Sequence, residues 1–312
     1  MFQQLGPCPS LEYKYETQIH KTTIADKVRM NRREFLNSTI SLGIGSLVYA
    51  NLLPTMLLAS TSVKNNERKT KMNNSTINKV IHRANERGYA EHGWLKSFHS
   101  FSFANYYNPE MMGFGLLRVI NDDSVDPGFG FGTHPHNDME IISIPLSGTL
   151  EHKDSMGNHF LIKAGEVQVM SAGTGITHSE YNQSKTEPVK FLQIWIKPKI
   201  NGIQPNYDQN SFSVNDRKNQ FQVIVSGSGK AHSLKINQDA QMALADLESG
   251  NTITYKQAYS GNGIYVFVLK GKINIAGEEL STRDAIGLTN ISNVDIQGLD
   301  NAEILVIEVP MS

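Results

Sequence analysis

From residue 77 to the C-terminus the chain runs in short β-branched and aromatic stretches separated by Gly and Asn, and no long stretch keeps a helical period. Residues 116–120, 139–145, 160–163, 167–170 and 189–196 read as strands in the first half. Residues 221–225, 265–269, 272–275 and 304–309 read the same way in the second. Strands this short and this closely spaced favour an all-β barrel or sandwich over a parallel α/β sheet.

The two halves share a pattern. Pro145-Leu146-Ser147-Gly148, a strand, Gly157, Leu161 and Gly165-Glu166 run parallel to Val268-Leu269-Lys270-Gly271, a strand, Gly277, Leu280 and Arg283-Asp284. Each copy is an apolar strand, a Gly turn, a second strand and a further turn before an acidic residue. The spacing predicts two copies of one barrel, residues 80–200 and 201–312, joined through the Pro-, Asn- and Gln-rich segment 197–215.

The first half carries two alternating pairs of metal-ligating residue types. Phe131-Gly132-Thr133-His134-Pro135-His136 is followed further on by Gly173-Thr174-Gly175-Ile176-Thr177-His178-Ser179-Glu180. On an extended strand, residues two apart project to one face, so His134 and His136 point together, as do His178 and Glu180. A His-x-His pair alone is as readily a pair of surface histidines as a metal site. Two such pairs inside one small barrel are harder to dismiss: they offer three imidazoles and one carboxylate to a common point, a donor set that suits iron, manganese, nickel, copper, cobalt or zinc. Glu140 shares the strand parity of His136 and is expected behind the ligands, orienting an imidazole N–H.

The second half lacks such a set. The count from Gly148 back to His134 and His136, repeated from Gly271, reaches Gln257 and Tyr259, and His232 is the only histidine of that half. His82, His92, His99, His152 and His159 carry no ligand motif and are expected to be structural.

The stretches 83–88 and His92-Gly93-Trp94-Leu95-Lys96-Ser97-Phe98-His99-Ser100-Phe101-Ser102-Phe103, with Gly113-Phe114-Gly115, Leu117-Arg118-Val119, Thr133 to His136, Met139-Glu140 and Ser171 to Glu180, resemble the pirin family. The likeness runs from about Val80 to the C-terminus and is nearest to the bacterial, quercetin-dioxygenase-like branch. It implies a bicupin of two antiparallel jelly-roll barrels with one divalent metal in the first, iron(II) foremost, on residues matching His134, His136, His178 and Glu180. It also implies a dioxygenase that opens a flavonol or related phenolic ring with O2, with Glu180 as proton acceptor. Eukaryotic pirin is similar too, which gives the alternative of a non-enzymatic metal- or redox-sensing binding protein.

The segment before the barrels reads as an address. Asn31-Arg32-Arg33-Glu34-Phe35-Leu36 precedes a run without a charged residue until Lys64, the pattern of a twin-arginine export signal over 30–62. Residues 1–29 are expected to be an over-extended leader ahead of Met30, and 63–79 a polar linker. Export would place the protein in the periplasm, touching the membrane only through an uncleaved signal anchor, whereas translation from Met72 would leave it in the cytoplasm. The lone cysteine, Cys8, falls in the leader, so no disulfide is expected, and a net charge of -1 argues against nucleic acid as a partner.

Overall fold

The computed structural model describes residues 77–312 apart from Ala231; the expected leader, the export signal and nearly all of the expected linker lie outside these residues. The described chain is all-β, its helical content limited to the single turns Ala84–Glu86 and Val214–Arg217. Its strands form two seven-stranded and two four-stranded sheets, one large and one small sheet to each barrel.

In the first barrel the large sheet runs in the order Asn206–Ser211, Glu166–Ser171, Glu140–Ser147, Val189–Ile196, Leu117–Val125, Leu95–His99 and Gly88–Glu91. The small sheet facing it is Gly130–His136, Ile176–Asn182, Thr149–Asp154 and His159–Lys163. The second barrel repeats the plan, with Thr252–Lys256, Asn293–Gly298, Lys272–Ile275 and Glu278–Ser281 as its small sheet. Gly148 and Gly271 close matching hairpins with φ of +78° and +82°, a backbone that only glycine adopts without strain.

The two large sheets pack against each other, and this contact is the main core of the molecule. Leu117, Ile120, Ile142, Val169, Leu192 and Ile194 from one meet Ile224, Met242, Leu244, Phe267, Leu305 and Ile307 from the other. Each such side chain contributes about 1.5–3 kcal/mol on burial. The arrangement explains why Val189–Ile196 is apolar along most of its length: Leu192 and Ile194 face the partner barrel, while Phe191, Gln193 and Trp195 point into their own.

The boundary between barrels is crossed twice. Asn78–His82 pairs with Ala285–Thr289 in the second barrel's large sheet, and Asn206–Ser211 pairs with Glu166–Ser171 in the first. Each of these strands thus joins the sheet that lies across residue 200 from it in sequence. Arg87 and Arg283, from opposite halves, converge on Asp122 at 3.2 and 2.8 Å.

Candidate metal centre

The ladder between Gly130–His136 and Ile176–Asn182 sets His178 directly opposite His134, and Ile176 opposite His136. A register shift after His178 then brings Glu180 opposite Phe131. The approach to His178 is fixed by its loop. Gly173 has φ of +45°, a Cβ there would collide with the Ile203 carbonyl, and Thr174 N–H donates to that same carbonyl at 2.8 Å.

The three imidazoles converge. One nitrogen from each of His134, His136 and His178 lies within 4.8 Å of the others, and the ring centroids are 4.4 to 4.9 Å apart. His134 donates from Nδ1 to the Gly132 carbonyl at 2.7 Å, which leaves Nε2 with its lone pair. His178 is buried, and neither of its nitrogens has a hydrogen-bond partner among the described residues. Burial, with the neighbouring imidazoles adding to it, pulls His136 down to about 3 and His178 to about 2. Both rings are thus neutral at ordinary pH, the state a metal requires. An unpartnered, neutral, buried imidazole beside two others is a costly arrangement unless a cation completes it, so these residues fit a divalent ion.

Glu180 lies outside that group of three. Its buried carboxylate accepts from Gln193 Nε2 at 2.8 and 3.1 Å, and Ser143 Oγ lies 3.2 Å from Glu180 Oε1. Oε2 carries only one of these bonds, so it retains a lone pair for a further partner.

Glu140 departs from expectation. Its Oε2 accepts from Ser171 Oγ at 2.6 Å and from the backbone N–H of Asn237 at 3.1 Å, tying the first barrel to the second half, and it bonds no imidazole among the described residues. The parity count fails because Asp138, with φ of +45°, turns the chain out of the small sheet before Glu140–Ser147 begins in the large one. Strand alternation does not carry across a turn.

The count into the second barrel also misses, by two residues. Leu150 and Ile273 each follow the hairpin glycine by two, and they pair with Asn182 and Gly298. Four residues back along those partners stand His178 and Val294, which pair with His134 and Tyr255. Tyr255, Val294 and Ile296 hold the places of His134, His178 and Glu180, and all three belong to an apolar cluster that fills the barrel. Gln257 stands in the place of His136 and bonds the Asn262 carbonyl; Tyr259 lies in the following turn, its backbone N–H on Glu308.

Several residues beside the centre escaped sequence reasoning. Trp195 stacks edge-on to His136 at 4.9 Å, with Phe103 behind it at 5.4 Å, so an aromatic wall flanks the part-exposed His134 and His136. His152 lies fully buried behind His178, its ring 5.3 Å away, and is paired with Asp154 at 3.0 Å. Asp123 is buried on the inner face of the large sheet, where burial pushes its carboxyl up to about 7 against a hydrogen bond from Ser97, and the charges of Glu180 and Asp122 add to the rise.

That shift has a measurable consequence. The unfolded chain releases this proton near the ordinary aspartate value of about 3.9, and the fold keeps it to about 7. Between these limits the native state binds the extra proton, so the contribution of Asp123 to stability falls as pH rises, by up to about 1.4 kcal/mol per pH unit. In metal-stripped protein, Asp123→Asn is expected to lose less melting temperature than the parent between pH 5 and 7. Equal losses in the two proteins would contradict the assignment.

A twofold β-barrel chain in which, among the described residues, three histidines converge in one barrel and not in the other is a bicupin with a candidate metal centre in its first barrel. Residues 80–196 match the Pirin family and residues 223–309 match the Quercetinase C-terminal cupin domain. The chain belongs to the pirin family. It is 46% identical over 234 residues to quercetin 2,3-dioxygenase of Escherichia coli (strain K12), an alignment covering 74% of this chain and 98% of that one. A pirin-like protein of Caulobacter vibrioides is 42% identical over 222 residues, covering 71% and 95%. Among solved structures, the bacterial pirin YhhW from Escherichia coli in complex with nickel(II) superposes with a TM-score of 0.71 at 44% identity, covering 75% of this chain and all of that one.

Proposed function

We propose that this protein is a metal-dependent dioxygenase of the quercetin 2,3-dioxygenase type, acting on a flavonol or related phenol with O2, and that His134, His136, His178 and Glu180 hold its ion. The observation that carries the reading is the convergence of three imidazoles, two of them kept neutral by burial and mutual repulsion, beside an aromatic wall. Similarity to relatives named for that activity, one of them solved with nickel(II), supports it. The imidazole and carboxylate donors suit iron(II), manganese, cobalt, nickel, copper or zinc, and the resemblance to pirins puts iron(II) foremost among them.

A bound divalent ion would supply Lewis acidity for an ionised phenol oxygen. The protein does the rest. His134 and His136, part-exposed at the barrel mouth, leave that side open to a planar substrate, and Trp195 with Phe103 gives it a surface to stack on. Glu180 is held by Gln193 and stands deeper; the one lone pair left on its Oε2 would hold the ion at rest and leave it to take the phenol proton as the substrate enters. Burial of Phe191, Leu150 and Ile162 below this layer keeps the barrel floor dry.

Protein reconstituted separately with iron(II), manganese, nickel, copper and cobalt is expected to bleach quercetin with matching uptake of O2, and chelator-treated protein to do neither. Absence of turnover with every one of these ions would overturn the proposed activity.

A further inference from the structure

The metal-site reading leaves one buried titratable pair unused. Thr149–Asp154 runs beside Ile176–Asn182 in a register that sets His152 against Glu180 and Asp154 against His178. The His152 and Asp154 side chains are both at 0% exposure, with His152 Nε2 3.0 Å from Asp154 Oδ2. Asp154 is saturated as an acceptor: it also takes bonds from Met156 N–H, Asn158 N–H and Asn158 Nδ2 at 2.9 to 3.1 Å.

The other three partners of Asp154 all donate to it, so the carboxyl accepts from His152 as well: Nε2 carries the proton, and in a singly protonated ring Nδ1 is left as a lone pair. That Nδ1 is buried without a partner among the described residues. The ring above it, His178, presents the complementary need. Once one of its nitrogens holds a cation, the other must carry a proton, and it too has no partner there. An unmet buried acceptor and an unmet buried donor are each costly, and a bond between them relieves both. Tyr207, which covers His152 at 4.7 Å, does not compete, because its hydroxyl donates to Gln209.

We infer that His152 is the positioning residue for His178. In the metal-bound protein His178 donates its free N–H to Nδ1 of His152, and Asp154 fixes the tautomer that makes His152 an acceptor. This rests on the reading of His178 as a ligand. It makes a chain from carboxylate through two imidazoles to the ion, replacing the role that parity had suggested for Glu140.

Zinc, which is diamagnetic, allows a direct test. Long-range 15N–1H spectra of the zinc-loaded parent are expected to show His152 neutral, with Nε2 protonated and Nδ1 bare; a doubly protonated ring or the opposite tautomer would overturn the inference. In competition against a chelator, His152→Leu is expected to bind zinc about 10–100-fold more weakly, and His152→Gln, whose amide oxygen can accept, to recover most of that loss. Equal zinc affinity of parent and His152→Leu would count against the inference alone, whereas a parent that takes up no zinc would remove the metal-site reading beneath it. The spectra need only the parent protein, so they decide the matter even where a variant folds poorly.

Discussion

Replacing His178 with alanine is expected to abolish metal binding and to leave the fold standing. The side chain is buried but makes no hydrogen bond among the described residues, so its removal breaks no network and even relieves two unmet polar atoms. The cavity it leaves opposes that gain, so the net change in stability should be no more than about 1–2 kcal/mol. The effect on the ion is far larger. Loss of a group that merely orients a ligand weakens binding about 10–100-fold, and loss of a ligand itself should exceed that, to more than about a thousandfold. Metal content after dialysis against a weak chelator, set beside the melting temperature, checks both halves of the expectation. A variant that keeps a full equivalent of metal would show that His178 is not a ligand.

The second large effect is expected at Glu180. Glu180→Gln keeps the shape, and its amide oxygen can still accept from Gln193, so the barrel should fold and the three histidines should still converge. What disappears is the negative charge beside the ion and the group that takes the substrate's proton. A positioned general base contributes about 10²–10⁴-fold, so kcat at saturating metal should fall by that factor. Metal affinity should fall less steeply than in His178→Ala, because three imidazoles remain. Measuring kcat and metal occupancy on the same samples separates the two roles: unchanged kcat at full occupancy would remove Glu180 from the chemistry.

The parts of this molecule legible in its sequence are those that depend on neighbours along one strand. Alternation within a strand puts His134 and His136 on one face, and the ladder that sets His178 opposite His134 completes the imidazole triad. The strand at 189–196 was likewise plain, since burial on both faces leaves a nearly continuous apolar run. The parts that failed depend on what happens between strands. Glu140 was misjudged because a left-handed residue, Asp138, resets the parity. Gln257 and Tyr259 were two residues out because the segments joining matching strands differ in length between the barrels. His152 was passed over although His152 and Asp154 share a parity on Thr149–Asp154, since only the register of that strand against Ile176–Asn182 brings them to the ligands. Nothing local announces that Asn78–His82 completes the distant sheet, because pairing with Ala285–Thr289 is set by tertiary geometry alone.

The most direct measurement is X-ray absorption at the metal edge, paired with anomalous diffraction, on protein loaded with one equivalent of iron(II) or nickel(II). One ion bound by three imidazole nitrogens at about 2.0–2.2 Å, with a carboxylate oxygen from Glu180 completing the protein ligands, is the predicted result. An anomalous peak away from the point where His134, His136 and His178 meet, or an ion held there by fewer than three histidines, would contradict it.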